Sequence, residues 1–172
     1  METGINRKQL FETTHTTESE EIWMERPLLK VKKLRQDAVL PQYGSAFAAG
    51  ADLCACLTEE KMTVPPHETV FVPTGLAFQI PEGYVGLVAA RSGIACKRDL
   101  APANKVGVID SDYRGEVMVA LHNHGNEPRE IERGERIAQL LILPYLAVSF
   151  ACVDELEETD RGDGGFGSTG RK

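Results

Sequence analysis

The stretch TVFVPTGLAFQIPEGYVGLVA, residues 69–89, decides the fold class. It contains three short runs of β-branched and other apolar residues, and Pro and Gly residues separate each run from the next. Runs of this length and composition are typical of strands, and Pro-Glu-Gly between the second and third runs is typical of a turn. The stretch therefore predicts consecutive strands over Thr69–Val72, Leu76–Ile80 and Val85–Ala89.

The same pattern continues along the rest of the chain from Pro27 onward, and helix is scarce. Further strands are predicted over Leu29–Leu34, Asp52–Ala55, Val106–Ile109, Glu116–Leu121 and Ile137–Leu143, with one short helix over Ser92–Lys97. Many short strands separated by turn residues are typical of an all-β sandwich or barrel. We therefore expect an all-β domain.

Two of the predicted strands are apolar at nearly every position. They are Ile137–Leu143, IAQLLIL, and the part of another strand that spans residues 117–121, VMVAL. A strand of this kind is expected to be buried on both faces. A single small barrel cannot cover all of these faces, so we expect subunits to pack against one another.

Composition limits the class of protein. The chain has 172 residues with 42% hydrophobic content, enough for one domain with one core. Its net charge of −7 excludes general affinity for nucleic-acid backbones. Residues 1–26 contain no cationic start followed by an apolar run, and no stretch approaches about 18 uncharged apolar residues. We therefore predict neither secretion nor contact with a membrane.

The cysteines and the chain ends complete this outline. Cysteines at 54, 56, 96 and 152 match neither a zinc pair nor a disulfide framework, which predicts reduced thiols in a cytoplasmic protein.

We expect a flexible N-terminal arm over residues 1–26, a β-barrel domain over 27–158 and a glycine-rich C-terminal lid over 159–172.

Two short polar segments adjoin predicted strands. Asp52 follows a glycine turn, where a carboxylate could act on the water shell of Mg²⁺, because this ion keeps several of its waters. The alternative is a turn aspartate that caps backbone amides. Arg91, Ser92 and Gly93 lie between a strand and the short helix, where a guanidinium, a hydroxyl and a helix N-terminus could meet one anion. The alternative there is a serine N-cap beside a surface arginine.

Residues 104–116, NKVGVIDSDYRGE, form the most informative internal stretch. Two strand-like runs flank Ser111-Asp112, which predicts a hairpin whose backbone, together with Asn104, could bind the Watson–Crick edge of a base. Tyr113 could pack on a sugar and leave no room for an extra hydroxyl, and Asp110 could position and deprotonate an attacking water. The alternative is a type I turn with solvated aspartates and a cross-strand tyrosine.

Gln139 is a polar residue inside an otherwise apolar strand. Burying a glutamine costs free energy unless its amide is hydrogen-bonded. Gln139 therefore marks either a site or a seam between subunits, and simple structural satisfaction is the alternative.

The C-terminal tail over residues 161–172, RGDGGFGSTGRK, is rich in glycine and basic. Its backbone N–H groups and hydroxyls, together with Arg161, could form a phosphate cradle, and Phe166 could stack on a nucleobase. The alternative is a disordered tail that increases solubility.

Five segments, taken in order, resemble the five motifs of the trimeric deoxyuridine triphosphatase (dUTPase) family. They are Ala49–Leu53, Arg91–Lys97, Asn104–Glu116, Gly134–Gln139 and Arg161–Gly170. The resemblance covers residues 28–170, and its third and fifth motifs are highly specific. It implies a jelly-roll-like β-barrel in a homotrimer whose three active sites are each assembled from all three chains. It also implies hydrolysis of dUTP to dUMP and pyrophosphate, which limits uracil incorporation into DNA and supplies dUMP for thymidylate synthesis.

The resemblance implies roles residue by residue. Asp110 would be the general base for the water that attacks the α-phosphorus, and Mg²⁺ would chelate the three phosphates. No residue would bind the metal directly, and Asp52 would reach it through bound water. The substrate-binding positions would be Asn104, Val108, Ile109, Asp110, Tyr113 and Met118 for the nucleoside, Arg91, Ser92, Gly93 and Gln139 for the phosphates, and Arg161, Phe166, Gly167, Ser168 and Thr169 in the lid.

Two departures from the family pattern and two alternatives remain. Ala90 stands where the family usually has a proline, and Asp163 where it more often has Glu. One alternative is a dCTP deaminase-like or bifunctional enzyme, which needs a different catalytic carboxylate; the complete third motif speaks against it. The other is a non-catalytic trimeric interaction module, which would not be expected to retain Asp110, Tyr113 and the tail.

Overall fold

The computed structural model describes residues 27–165, which are built almost entirely from short strands with one short helix. The strands are β1 Lys30–Lys33, β2 Gln42–Tyr43, β3 Ala51–Cys54, β4 Lys61–Val64, β5 Thr69–Pro73, β6 Leu76–Gln79, β7 Tyr84–Ala89, β8 Leu100–Pro102, β9 Val106–Ile109, β10 Met118–Asn123, β11 Arg129–Glu132 and β12 Arg136–Pro144, and the helix is α1 Ser92–Arg98. All strand pairs within these residues are antiparallel.

The predicted all-β class is confirmed, and so are all eight predicted strands and the helix, with ends that differ by up to two residues. Four short strands were not predicted: β2, β4, β8 and β11. Two of them, β4 and β11, have the sequences KMTV and REIE and pair with each other. Because these strands are short and contain charged residues, the alternation of apolar and polar side chains that places Val64 and Ile131 in the core is not evident from the sequence.

The strands form four sheets. The largest has the order β2-β3-β12-β7-β9, the second has the order β5-β10-β8, and β1-β6 and β4-β11 form two-stranded ribbons. The central position of β12, between β3 and β7, explains its apolar sequence: Ile137, Ala138 and Leu140 are buried.

One core joins the four sheets. Leu53, Leu76, Leu121 and Ile131 are fully buried, and each comes from a different sheet. Burying a side chain of this kind contributes about 1.5–3 kcal/mol. Asn123 is buried among them with its amide satisfied, because Nδ2 donates to the carbonyls of Val64 and Glu127 and Oδ1 accepts from the Gly125 N–H. The packing closes the sheets into a barrel-like subunit.

Strand β10 is buried on one face only within a single chain. Val119 and Leu121 are buried, while Met118 on the other face is 50% exposed. The adjacent residue of β5 on that face, Phe71, pairs with Ala120 and is 64% exposed. The apolar sequence of this strand thus leaves an open apolar face on the subunit.

The hairpin predicted at Ser111-Asp112 is wrong. Strand β9 pairs with β7, whereas β10 pairs with β5 and β8 in another sheet. Residues 110–117 therefore cross between sheets instead of turning back on themselves. The local turn is present, since the Tyr113 N–H donates to the Asp110 carbonyl at 3.2 Å.

The structure also bears on the cysteines and on membrane insertion. All four cysteines are free, and burial raises the pKa of the Cys54 and Cys56 thiols. In residues 27–165 no helix has the length and hydropathy that a bilayer crossing requires.

Candidate active site

A cleft of about 260 Å³ lies where β9, β10 and the loop between them meet. Every residue predicted to bind the nucleoside lines it: Asn104, Val108, Ile109, Asp110, Tyr113 and Met118. These residues come from two sheets and two loops, so their convergence is a product of the fold. We call them the nucleoside set.

A tight turn between β8 and β9 places Asn104 at the cleft. The Lys105 N–H donates to the Pro102 carbonyl at 3.0 Å, and Lys105 has a positive φ of 65°. Gly107 follows, and a Cβ there would lie 3.2 Å from Asn104 Nδ2 and 3.3 Å from Val88 Cβ. The absence of a side chain at Gly107 therefore lets the Asn104 amide lie close against the backbone of β9.

Hydrogen bonds within residues 110–116 hold Tyr113 in place. Its hydroxyl donates to the Glu116 carbonyl at 3.0 Å, and Arg114 Nη1 donates to the carbonyls of Ser111 and Tyr113 at 2.7 and 2.9 Å. A Cβ on Gly115 would lie 2.6 Å from Tyr113 Cζ, closer than real contacts allow. The ring thus packs directly on the glycine backbone.

The Glu116 side chain ties this loop to the rest of the barrel. Its Oε1 accepts a hydrogen bond of 2.7 Å from the Gly75 N–H, in the turn between β5 and β6. Sequence reasoning assigned no role to Glu116 or Gly115 beyond the motif, because both contacts depend on how the loop folds back.

Arg91 lies between β7 and α1 and is held by two partners. Its Nε donates to Asp52 Oδ1 at 2.6 Å, and its Nη1 donates to the Arg136 carbonyl at 3.1 Å. Arg136 Nη1 in turn donates to Asp52 Oδ2 at 3.1 Å. One carboxylate thus bridges two guanidinium groups.

The alternative of a serine N-cap is wrong. Arg91 itself occupies the cap position, with extended backbone and no side-chain cap hydrogen bond, and Ser92 is the first residue of α1. The alternative of Asp52 as a cap for backbone amides is also wrong, since its hydrogen bonds in the described residues come from arginine side chains. Ser92 and Gly93 are exposed beside Arg91.

Gln139 connects β12 to the residue before Arg91. Its Nε2 donates to the Ala90 carbonyl at 2.8 Å, and it lies opposite Asp52 in the β3–β12 register. A Cβ on Gly50 would lie 2.6 Å from Gln139 Oε1. The half-buried glutamine is therefore hydrogen-bonded and adjoins the predicted phosphate-binding residues. We call Asp52, Arg91, Ser92, Gly93 and Gln139 the phosphate set.

Asp110 and the phosphate set lie at opposite ends of β7. Arg91 follows the end of this strand, whereas Asp110 continues β9 beyond the pair formed by Ile109 and Gly86. Asp110 is thus level with Val85, five residues before Ala90, and five steps of an antiparallel strand span about 17 Å. A single chain does not bring Asp110 to the phosphate set.

The described part of the tail joins neither set. Arg161 is exposed and its Nε donates to the Gly164 carbonyl at 2.9 Å, within a turn where Gly162 has a positive φ of 52°. The other predicted lid residues, Phe166, Gly167, Ser168 and Thr169, lie outside the described residues.

The described residues contain no group of three or more His, Cys, Asp or Glu side chains that could hold a metal ion. Arg136, which engages Asp52, was assigned no role from the sequence. Only the register of β12 beside β3 brings it to that carboxylate.

The chain is similar to known proteins in both sequence and structure. The sequence model of the dUTPase family matches residues 36–170. Deoxyuridine 5'-triphosphate nucleotidohydrolase of Desulfitobacterium hafniense is 52% identical over 145 residues, which cover 83% of this chain and 95% of that protein. The protein of the same name from Hydrogenobaculum sp. is 47% identical over 144 residues, covering 84% and 99%.

Solved structures give the same result. The dUTPase of Staphylococcus bacteriophage 80alpha with dUpNHpp has a TM-score of 0.76 and 31% identity, covering 84% of this chain and 99% of that one. A mutant dUTPase from phage phi11 of S. aureus, described with the coordination of a structural Mg(II) ion, has a TM-score of 0.68 and 27% identity, covering 77% and 100%. The chain belongs to the dUTPase family.

Proposed function

We propose that this chain hydrolyses dUTP to dUMP and pyrophosphate, and that the cleft formed by the nucleoside set holds the deoxyuridine. The observation that carries the proposal is the convergence of all six predicted nucleoside residues on one cleft in a member of the dUTPase family. The activity limits uracil incorporation into DNA and supplies dUMP for thymidylate synthesis.

Uracil is recognised by the backbone of β9. Among residues 27–165 this strand is the last in its sheet and pairs with β7 alone, so its outer edge has N–H and C=O groups available to a ligand. Val108, Ile109 and Asp110 present this edge to the cleft, and the Asn104 amide adds a donor and an acceptor. Met118 closes the pocket on the side of β10.

Tyr113 selects deoxyribose. Its ring is fixed by its hydroxyl bond to Glu116 and by its contact with Gly115, so it cannot easily withdraw from the sugar. A ribose 2′-hydroxyl would meet this ring, and overpacking of this kind costs about 1–3 kcal/mol.

Asp110 is the general base. Its exposed carboxylate stands where β9 ends, beside the sugar position. It accepts a proton from water, the water oxygen bonds to the α-phosphorus, and the bond from that phosphorus to the bridging oxygen breaks. Pyrophosphate leaves with the electron pair of the broken bond.

The phosphates are bound by Arg91, Ser92, Gly93 and Gln139, together with Arg161, Gly167, Ser168 and Thr169 of the tail, while Phe166 covers the uracil. Mg²⁺ bound by the triphosphate neutralises its charge and favours departure of pyrophosphate.

The chain acts as a homotrimer with shared sites, and the separation of Asp110 from the phosphate set supports this proposal. A general base must reach its water within about 2.6–3.2 Å, so Asp110 of one chain requires the phosphate set of another. The open apolar face at Met118 and Phe71 supports contact between subunits. The exposed apolar residues after β12, among them Leu146 and Phe150, support it too. Sedimentation equilibrium is expected to give the mass of three chains, and an active monomer would contradict shared sites.

The same proposal places the enzyme in the cytoplasm, with no nucleic-acid or membrane partner. It keeps the arm at residues 1–26, the barrel at 27–158 and the lid at 159–172 as the working boundaries.

Pyrophosphate release from dUTP, dCTP, dTTP and UTP in the presence of magnesium tests the function. Release from dUTP alone is expected, and no ammonia should form from dCTP. Ammonia from dCTP would establish a deaminase instead, and no turnover of any of the four nucleotides would favour an interaction module.

A further inference from the structure

A single, largely buried carboxylate joins β3, β12 and the segment before α1. The Asp52 side chain is 12% exposed, and each of its oxygens accepts a hydrogen bond from a different arginine, Arg91 at 2.6 Å and Arg136 at 3.1 Å. Charge-assisted bonds at such distances are strong, and removing one partner from a buried pair is costly. Asp52 is therefore already committed within the chain before any substrate binds.

The two bonds of Arg91 leave part of its guanidinium available. Arg91 Nε is used by Asp52 and Nη1 by the Arg136 carbonyl, and no hydrogen bond engages Nη2 among residues 27–165. A guanidinium has five N–H donors in a planar fork. The N–H groups of Nη2 therefore remain able to donate to an anion.

The backbone around Arg91 is also held at both ends. Gln139 binds the carbonyl of the preceding residue, Ala90, at 2.8 Å. At the far end of α1, Arg98 bonds to the Glu135 carboxylate and to the Glu130 carbonyl. The side chain and the segment that carries it are thus both fixed, which reduces the entropy that Arg91 would lose on binding a phosphate.

We propose that Asp52 is a positioning residue, which acts on the substrate through Arg91 with Arg136 as a brace. The proposal rests on the proposed function, since the anion is a phosphate of dUTP. Two guanidinium groups and one carboxylate leave a net positive charge at the site. Asp52 thus orients Arg91 without cancelling the attraction for the triphosphate.

The test is binding of an α,β-imido analogue of dUTP, measured by calorimetry with EDTA and again with magnesium. If Asp52 acts through Arg91, Asp52→Asn weakens binding about 10- to 100-fold in both conditions, as expected for a misplaced binding group. If Asp52 acts through the metal, the loss appears only with magnesium. The magnesium concentration for half-maximal hydrolysis should also be unchanged in this variant, and an increase would overturn the proposal.

A double-mutant cycle isolates the coupling between the two residues. In an Arg91→Met background, Asp52→Asn should have an effect on binding of less than about twofold, because its target is already gone. Equal effects in both backgrounds would overturn the proposal. Glu130→Gln is the matched control: it removes an exposed cross-strand pair with Lys61, 2.8 Å long, and should leave binding unchanged.

A second variant covers the case in which Asp52→Asn does not fold. Arg136→Met removes the brace and leaves the Asp52–Arg91 bond intact, and it should weaken metal-free binding in the same direction but less. Unchanged metal-free binding by a folded Arg136→Met protein would overturn the role of the brace. Wild-type protein that hydrolyses no dUTP would contradict the proposed function, whereas normal wild-type turnover with additive mutant effects would contradict only the role of Asp52.

Discussion

The phosphate set and the nucleoside set are held in place by different physical means. At the phosphate set, charged side chains cross between elements: Asp52 on β3 holds Arg91 before α1 and Arg136 on β12. At the nucleoside set, residues are positioned by close contact with backbone that carries no side chain. The Tyr113 ring, for example, packs on Gly115.

This difference teaches which changes each region tolerates. Charge removal should disturb the phosphate set, because its geometry depends on ionic hydrogen bonds. Addition of a single methyl group should disturb the nucleoside set, because a Cβ on Gly107 would lie 3.2 Å from Asn104 Nδ2 and one on Gly115 would lie 2.6 Å from Tyr113 Cζ. The variants of Asp52 and Arg91 described above test the phosphate set, and the four variants below test the nucleoside set and the tail.

The largest effect is expected for Asp110→Asn, which removes the general base from the nucleoside set. Turnover should fall by about 10²–10⁴-fold, the usual contribution of a general base, with dUTP binding largely intact. Measurement of kcat and of analogue affinity checks this. Asp112→Asn in the same exposed loop is the control, and comparable rates for Asp110→Asn and wild type would remove Asp110 from its role.

Truncation after Asp160 tests whether the phosphate set supports hydrolysis without the tail. Loss of Arg161 and of the residues after it should slow hydrolysis about 10²-fold, because the triphosphate would lose part of its positioning. Gel filtration should show an unchanged oligomer. Deletion of residues 1–26 is the matched control and should leave kcat and KM unchanged; normal turnover by the C-terminal truncation would refute the lid.

Tyr113→Ala tests the ring itself. Removing a steric penalty of about 1–3 kcal/mol should reduce the preference for dUTP over UTP about 5- to 150-fold, read as a ratio of kcat/KM values. Tyr113→Phe keeps the ring and should keep most of the preference. Unchanged discrimination in the alanine variant would reject contact between the ring and the sugar.

The smallest effect is expected for Gly115→Ala, where the added methyl group displaces the Tyr113 ring from its glycine contact. A cost of about 1 kcal/mol corresponds to about a fivefold loss in kcat/KM. Gly44→Ala is the control, since no atom lies within 4 Å of a Cβ built there. Equal kinetics for both glycine variants would show that the loop can relax, and the nucleoside set would then be less rigid than its contacts indicate.

Much of the fold and of the site could be predicted from the sequence because the signals are local. The run of strands across residues 69–89 and the segment 104–116 carry their patterns within about twenty residues. The predictions of the family, of the all-β barrel and of a dUTP diphosphatase are confirmed. The residue roles and the trimer remain predictions.

The errors share a physical cause. The hairpin at Ser111-Asp112 failed because β9 and β10 found longer-range partners in two different sheets. Strands β4 and β11 were missed because each buries only alternate residues beneath charged neighbours. Strand pairing depends on residues far apart in the chain, and no local pattern records it.

The sequence by itself determined the strand-rich class, the family and the residues of both sets, because these follow from residue types and their local spacing. Only the tertiary structure decided that Asp52 bridges Arg91 and Arg136, since the register of β3 beside β12 brings three distant residues together. It also decided that Asp110 and Arg91 stand at opposite ends of β7, because the antiparallel pairing of β9 carries Asp110 away from Arg91.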